Sequence, residues 1–167
     1  MKPMLHTLPA AVLVTLVLCL VAPKTFSQGV PDVVGSWSLV SLTEYRSGNE
    51  VEVLGPHPEG QLIFASDGRY VLVGLRADLP KFASGNRLSG TVEENQRIVQ
   101  GNFAHFGTYT VDPAAHVIVF HIKNGTFPNW NGEVQRRPFS LNGDQLTYFT
   151  PGSFGYGASK VVWQRLR

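Results

Sequence analysis

His105-Phe106-Gly107-Thr108-Tyr109-Thr110-Val111-Asp112 runs into Pro113, and Val117-Ile118-Val119-Phe120-His121-Ile122-Lys123 then leads to Asn124-Gly125. β-Branched and aromatic residues dominate both runs, and such side chains pack well on a pleated, half-buried surface. Asp-Pro and Asn-Gly are turn chemistry, so the pair reads as two antiparallel strands. The composition is unusual for either face of a simple sheet. A plain core would be aliphatic and a plain solvent face would be charged. Here His, Tyr and Phe alternate with strand formers, and Phe127-Pro128-Asn129-Trp130 and Arg136-Arg137 follow. That mixture suits a wall that is partly dry and partly polar, as small-molecule cavities are.

Working outward, similar short runs recur at 35–45, 61–65, 69–75, 133–141, 145–150 and 160–166. Ser66-Asp67-Gly68 and Asn142-Gly143-Asp144 are hairpin turns. The first run alternates Trp37, Leu39 and Ser41 on one face with Val40 and Leu42 on the other. Residues 46–60 read as a polar loop, because Pro56 and Pro58 forbid regular pairing there. Gly152 to Gly157 form a glycine-rich loop before the last strand. Thr91-Val92-Glu93-Glu94 is a capping box opening one helix that Gly101 ends. A single short helix cannot build a core alone, so it should pack on the sheet. Tight turns make sequential strands antiparallel neighbours. The expected fold is therefore all-β, a small antiparallel up-and-down barrel of about eight strands with one short α-helix. Eight strands leave room for packed side chains or one small ligand.

Residues 1–27 read as a secretory signal peptide, with Lys2 ahead of an apolar run at 10–22 and a cut expected after Ser27. The run is short for a membrane span, which needs about 20 apolar residues. The mature domain is then 28–167, periplasmic or secreted, with no membrane span. Its strands are too short and too polar outside for a membrane barrel. Cys19, the one cysteine, lies inside the signal, so disulfides and thiolate chemistry are not expected. Of the 14 Lys and Arg, Lys2 and Lys24 lie before the cut, and the remainder balances the 12 Asp and Glu. A neutral domain gives no electrostatic reason to expect nucleic acid as a partner.

Gly35-Ser36-Trp37 opens the first strand, and Pro80-Lys81-Phe82-Ala83-Ser84-Gly85 precedes the helix. Gly107-Thr108-Tyr109-Thr110-Val111, Phe127-Pro128-Asn129-Trp130 and Val162-Trp163 follow. In this order and spacing, over 33–165, the chain resembles the bacterial lipocalin-like domain proteins. The resemblance implies a small barrel with an internal pocket and carries no agreed reaction. The Gly-x-Trp opening is also similar to that of lipocalins proper, where the Trp closes the barrel base and an Arg near the last strand packs across it. That likeness points to Trp37 and Arg165 as structural residues. The chain departs from ordinary lipocalins in lacking their C-terminal helix pattern and disulfides, so their ligands are not carried over.

The candidate ligand-binding residues are His105, Phe106, Tyr109, Phe120, His121, Phe127, Asn129, Trp130, Arg136 and Tyr148. If His105 and His121 both point inward with Tyr109, the three could bind a carbonyl or phenol, or move a proton near neutral pH. Whether they share a face depends on the turn at Asp112-Pro113, because a one-residue slip exchanges the faces. Two histidines without a well-placed third ligand do not make a metal site, and no cofactor is called for. Phe127 and Trp130 either plug one end or form a lid at the mouth, with Asn129 orienting a ligand. Arg136 and Arg137 point to opposite faces, and an inward arginine would favour a carboxylate or phosphate. The leading expectation is an exported protein that binds a small hydrophobic or amphipathic molecule inside the barrel. A cyclase or isomerase using a His or Tyr as acid or base is one alternative. A filled barrel acting as an interaction module is another.

Overall fold

A computed structural model describes residues 32–150 and 157–167; the segment 1–27, read as a signal peptide, and most of the 152–157 loop lie outside the described residues. The strands are β1 (Gly35–Arg46), β2 (Asn49–Glu52), β3 (Glu59–Phe64), β4 (Arg69–Leu75), β5 (Asn102–Asp112), β6 (Val117–Gly125), β7 (Val134–Asn142), β8 (Gln145–Thr150) and β9 (Ser159–Arg165), with helix α1 (Val92–Gln100) between β4 and β5. They form one antiparallel sheet in the order β2-β1-β3-β4-β5-β6-β7-β8-β9, and pairing of β1 with β9 closes it into a barrel. β3 pairs with the first part of β1 and β2 with its last part, so these two share one position and the closed barrel has eight.

Two local readings are corrected. The stretch 46–60 is not all loop, because β2 pairs Thr43 through Arg46 with Glu52 through Asn49. The prolines lie beyond this ladder, and Ser47 and Gly48 make the tight turn with φ of 51° and 82°, as a twisted two-residue hairpin needs. The alternation along β1 also breaks. A bulge between Leu39 and Ser41 leaves Val40 exposed and brings Leu42 inside with Trp37 and Leu39.

Helix α1 has its capping box in place: Glu94 N–H donates to Thr91 Oγ1, and the Glu94 carboxylate accepts from the Thr91 N–H. The same carboxylate also accepts from the Ala83 N–H, which ties the preceding loop to the helix. None of its residues is buried, so the expected packing on the sheet is slight. Too few of its residues are apolar to make a core-facing stripe. Among the described residues no helix is long and apolar enough to cross a membrane.

One end of the barrel is solid. Phe64 packs 4.5 Å from Tyr109 and 5.7 Å from Phe120, ring centre to ring centre. Trp37 lies beneath them fully buried, its Nε1–H donating to the Val33 carbonyl at 3.0 Å. The Arg165 guanidinium sits 4.2 Å over the indole and donates to the carbonyls of Val34 and Asp32. The opposite end carries the β4–β5 and β6–β7 connections and is where polar groups enter the interior.

The register of β5 against β6 decides which side chains those are. Tyr109 faces Phe120 and Thr108 faces His121, with Lys123 of β6 bulged opposite Phe106–Gly107. A Cβ at position 107 would lie 2.0 Å from the His121 carbonyl oxygen and 2.9 Å from the Lys123 nitrogen, both backbone atoms. Gly107→Ala should therefore force the two strands apart and cost about 1–3 kcal/mol, read by urea unfolding. A loss under about 0.5 kcal/mol, the range of an ordinary surface change, would show that the bulge yields freely.

Candidate functional site

Strand alternation sends Phe103, His105 and Tyr109 of β5 inward, and Phe120 and Ile122 of β6 with them. β7 contributes Gln135 and Arg137, and β8 contributes Tyr148 and Thr150. Pro128–Trp130 forms a short 3₁₀ turn between β6 and β7, which lays the buried Trp130 edge-on over His105 at 5.8 Å.

The polar groups here are linked. Tyr70 Oη is 2.8 Å from His105 Nδ1. The far nitrogen of the ring, Nε2, is 3.4 Å from Arg137 Nη2, which also donates to Gln135 Oε1 at 2.7 Å. A guanidinium can only donate, so Nε2 must accept. The imidazole proton then belongs on Nδ1, donated to the Tyr70 oxygen. That leaves the Tyr70 hydroxyl hydrogen free for another acceptor. The Arg137 guanidinium is also sandwiched against aromatic faces, 4.2 Å from the Phe120 ring centre and 5.1 Å from that of Tyr148.

Burial sets the charges. Desolvation, with the Arg137 charge as the second cause, lowers the His105 pKa from 6.5 to about 3. Burial likewise holds the Tyr70 and Tyr148 hydroxyls well above the usual tyrosine range, and the Arg137 charge offsets part of this. At neutral pH the cluster is thus a neutral imidazole and two neutral phenols around one cation. Leu42, Phe103 and Val161 complete the wall around it, and the space enclosed is about 10 Å³, room for about one water molecule.

Five of the candidate residues sit inside the barrel, and four of them come together: His105, Phe120, Trp130 and Tyr148. Tyr109 is also inside but belongs to the solid end, its hydroxyl donating to the Ala65 carbonyl at 3.0 Å. Phe127 is at the mouth, half exposed and edge-on to Trp130 at 5.2 Å, and Asn129 is exposed on the same turn.

Phe106, His121 and Arg136 are corrected in position, because all three face solvent. Each is the chain neighbour of an inward residue (His105, Phe120 and Arg137), and alternation then turns it out. His105, Tyr109 and His121 therefore do not converge. The inward arginine is Arg137, which is 3% exposed. Tyr70 and Gln135 were missed. The alternation of Tyr70, Leu72 and Gly74 along β4 was a signal for the first. Nothing local marked the second. Among the described residues no three His, Cys, Asp or Glu side chains are grouped as a metal ion would need.

A family model described as a lipocalin-like domain matches residues 34–165. No curated protein matches the chain.

Proposed function

Because the chain belongs to the lipocalin-like domain family, we propose that it is an exported barrel that binds one small, mostly apolar molecule with a polar group. The ligand enters at the end covered by Trp130 and Phe127, and its polar group meets the cluster of Tyr70, His105 and Arg137. The observation carrying this reading is that a cationic side chain, Arg137, sits 3% exposed against the Phe120 and Tyr148 rings, at an end of the interior where the neutral polar groups His105, Gln135 and Thr150 are also buried. Burying a guanidinium costs several kcal/mol after relaxation, and aromatic packing alone would fill the same volume without that cost. A group retained there fits a recognition role better than a packing role.

The resting space is small, so a ligand must displace the Trp130 lid. Trp130 rides on the 3₁₀ turn between β6 and β7, outside the strand ladders, although Gly132 N–H donates to the Ile122 carbonyl at the end of that turn. Export rests on the leader at residues 1–27.

Intact mass spectrometry of the protein from its native host tests both parts. The chain should begin at Gln28. Under native conditions it should carry an added mass that denaturation removes. A clean apo mass, together with no binding of the neutral apolar probe N-phenyl-1-naphthylamine, would sink the binding reading.

A further inference from the structure

Inside the described barrel the positive charge of Arg137 has no carboxylate against it. The one buried carboxylate among the described residues, Glu44, is taken: its Oε1 accepts from Ser159 Oγ at 3.0 Å and its Oε2 pairs with Arg46 at 3.1 Å. Arg137 reaches an anion only at second remove. Its Gln135 partner donates from Nε2 to the exposed Glu133 carboxylate at 3.3 Å.

Two donors are also left over. Four buried side-chain polar atoms in the described residues make no hydrogen bond of normal geometry, and two of them, Arg137 Nε and Thr150 Oγ1, belong to residues lining the cavity beneath Trp130, where the Tyr148 hydroxyl also lies against the guanidinium. An unpaired buried donor is costly, and native structures rarely leave two at one cavity without a purpose. A bound water would satisfy the hydrogen bonds but not the charge.

Resting on the binding reading above, the geometry points to an anion subsite in this cavity for a single carboxylate. Arg137 Nε and Thr150 Oγ1 are its donors, and the apolar part of the acid lies against Trp130 and Phe127. Size and charge separate the possible anions. The resting space takes about one water, so any anion enters only as Trp130 is displaced, and a flat carboxylate oxygen pair asks for less displacement than a tetrahedral phosphate with its larger charge. One guanidinium balances one negative charge.

The test uses 2-naphthylacetate and its methyl ester, which share the apolar body and differ in charge. The wild-type protein should bind the acid about tenfold or more tighter than the ester by calorimetry. Arg137→Met should erase that preference by weakening the acid, with the ester left within about twofold, while the outward control Arg136→Met keeps it. Should R137M not fold, the Arg137 Nε–H signal of the wild-type protein carries the test. It should move downfield on adding the acid and stay in place with the ester.

Equal binding of acid and ester, a preference that survives R137M, or an unmoved Nε–H signal at saturating acid would overturn the subsite while leaving the binding barrel standing. Binding of neither compound to the wild-type protein would overturn both.

Discussion

Trp37→Ala should destabilise the domain by about 3–5 kcal/mol, the largest single-residue loss expected in this protein. The indole is fully buried at the closed end of the barrel, so the cavity left behind has no solvent to fill it. The loss is compounded by its neighbours. The Arg165 guanidinium, 4.2 Å above the ring, would lose a stacking partner worth about 0.5–2 kcal/mol, and the Val33 carbonyl would lose the indole N–H. Arg165 also ties the chain before β1 to β9 through the carbonyls of Asp32 and Val34, so a displaced guanidinium loosens the closing seam between β1 and β9. Domains of this size are typically stable by about 5–15 kcal/mol, so the variant should be marginal. Urea unfolding followed by far-UV circular dichroism reads the change. Phe106→Ala, at an outward position 46% exposed, should cost well under half as much. A Trp37→Ala loss below about 1 kcal/mol would mean that the base is held by something other than this residue.

Acid should weaken the fold through His105, by about 2–3 kcal/mol between pH 7 and pH 4.5. The folded pKa is lowered to about 3 by burial first and the Arg137 charge second, whereas the unfolded chain has the ordinary value near 6.5. Above pH 6.5 both states leave the imidazole neutral and the group contributes no pH dependence. Below it the unfolded state takes up a proton that the folded state refuses, so stability falls with pH and the loss levels off only near pH 3. Carboxylates also titrate in the lower part of this window. The comparison is therefore with His105→Asn, which keeps a polar group beside Tyr70 and removes the titration. The difference between the two stability curves isolates the histidine, and a flat difference would show that His105 is not held neutral. A consequence for the site follows: ligand recognition by Arg137 should not be gated by His105 protonation near neutral pH, because the imidazole stays uncharged there.

Much of the architecture was legible in the sequence. Ser66-Asp67-Gly68 and Asn142-Gly143-Asp144 specify hairpins through residues that tolerate the turn conformations, and both turns join antiparallel strands. Thr91 and Glu94 announce the helix start because the capping box closes within four residues. What was not legible depended on partners. β2 forms in a stretch that looked like loop because the free edge of β1 accepts it. Val40 bulges out because β9 fixes the register of β1 from the far end of the chain. Of the candidate site residues, the barrel interior brings together His105, Phe120, Trp130 and Tyr148. Tyr70 and Gln135 join them only through contacts between strands.

The sequence by itself determined a closed antiparallel meander with one capped helix, because turn chemistry, capping and strand periodicity act within a few residues. Only the tertiary structure decided which member of each adjacent pair enters the barrel: His105 and not Phe106, Phe120 and not His121, Arg137 and not Arg136. A strand presents its two faces in strict alternation, so a single bulge exchanges them. The bulges at Val40 of β1 and Lys123 of β6 are placed by pairing with neighbouring strands, which no local pattern records.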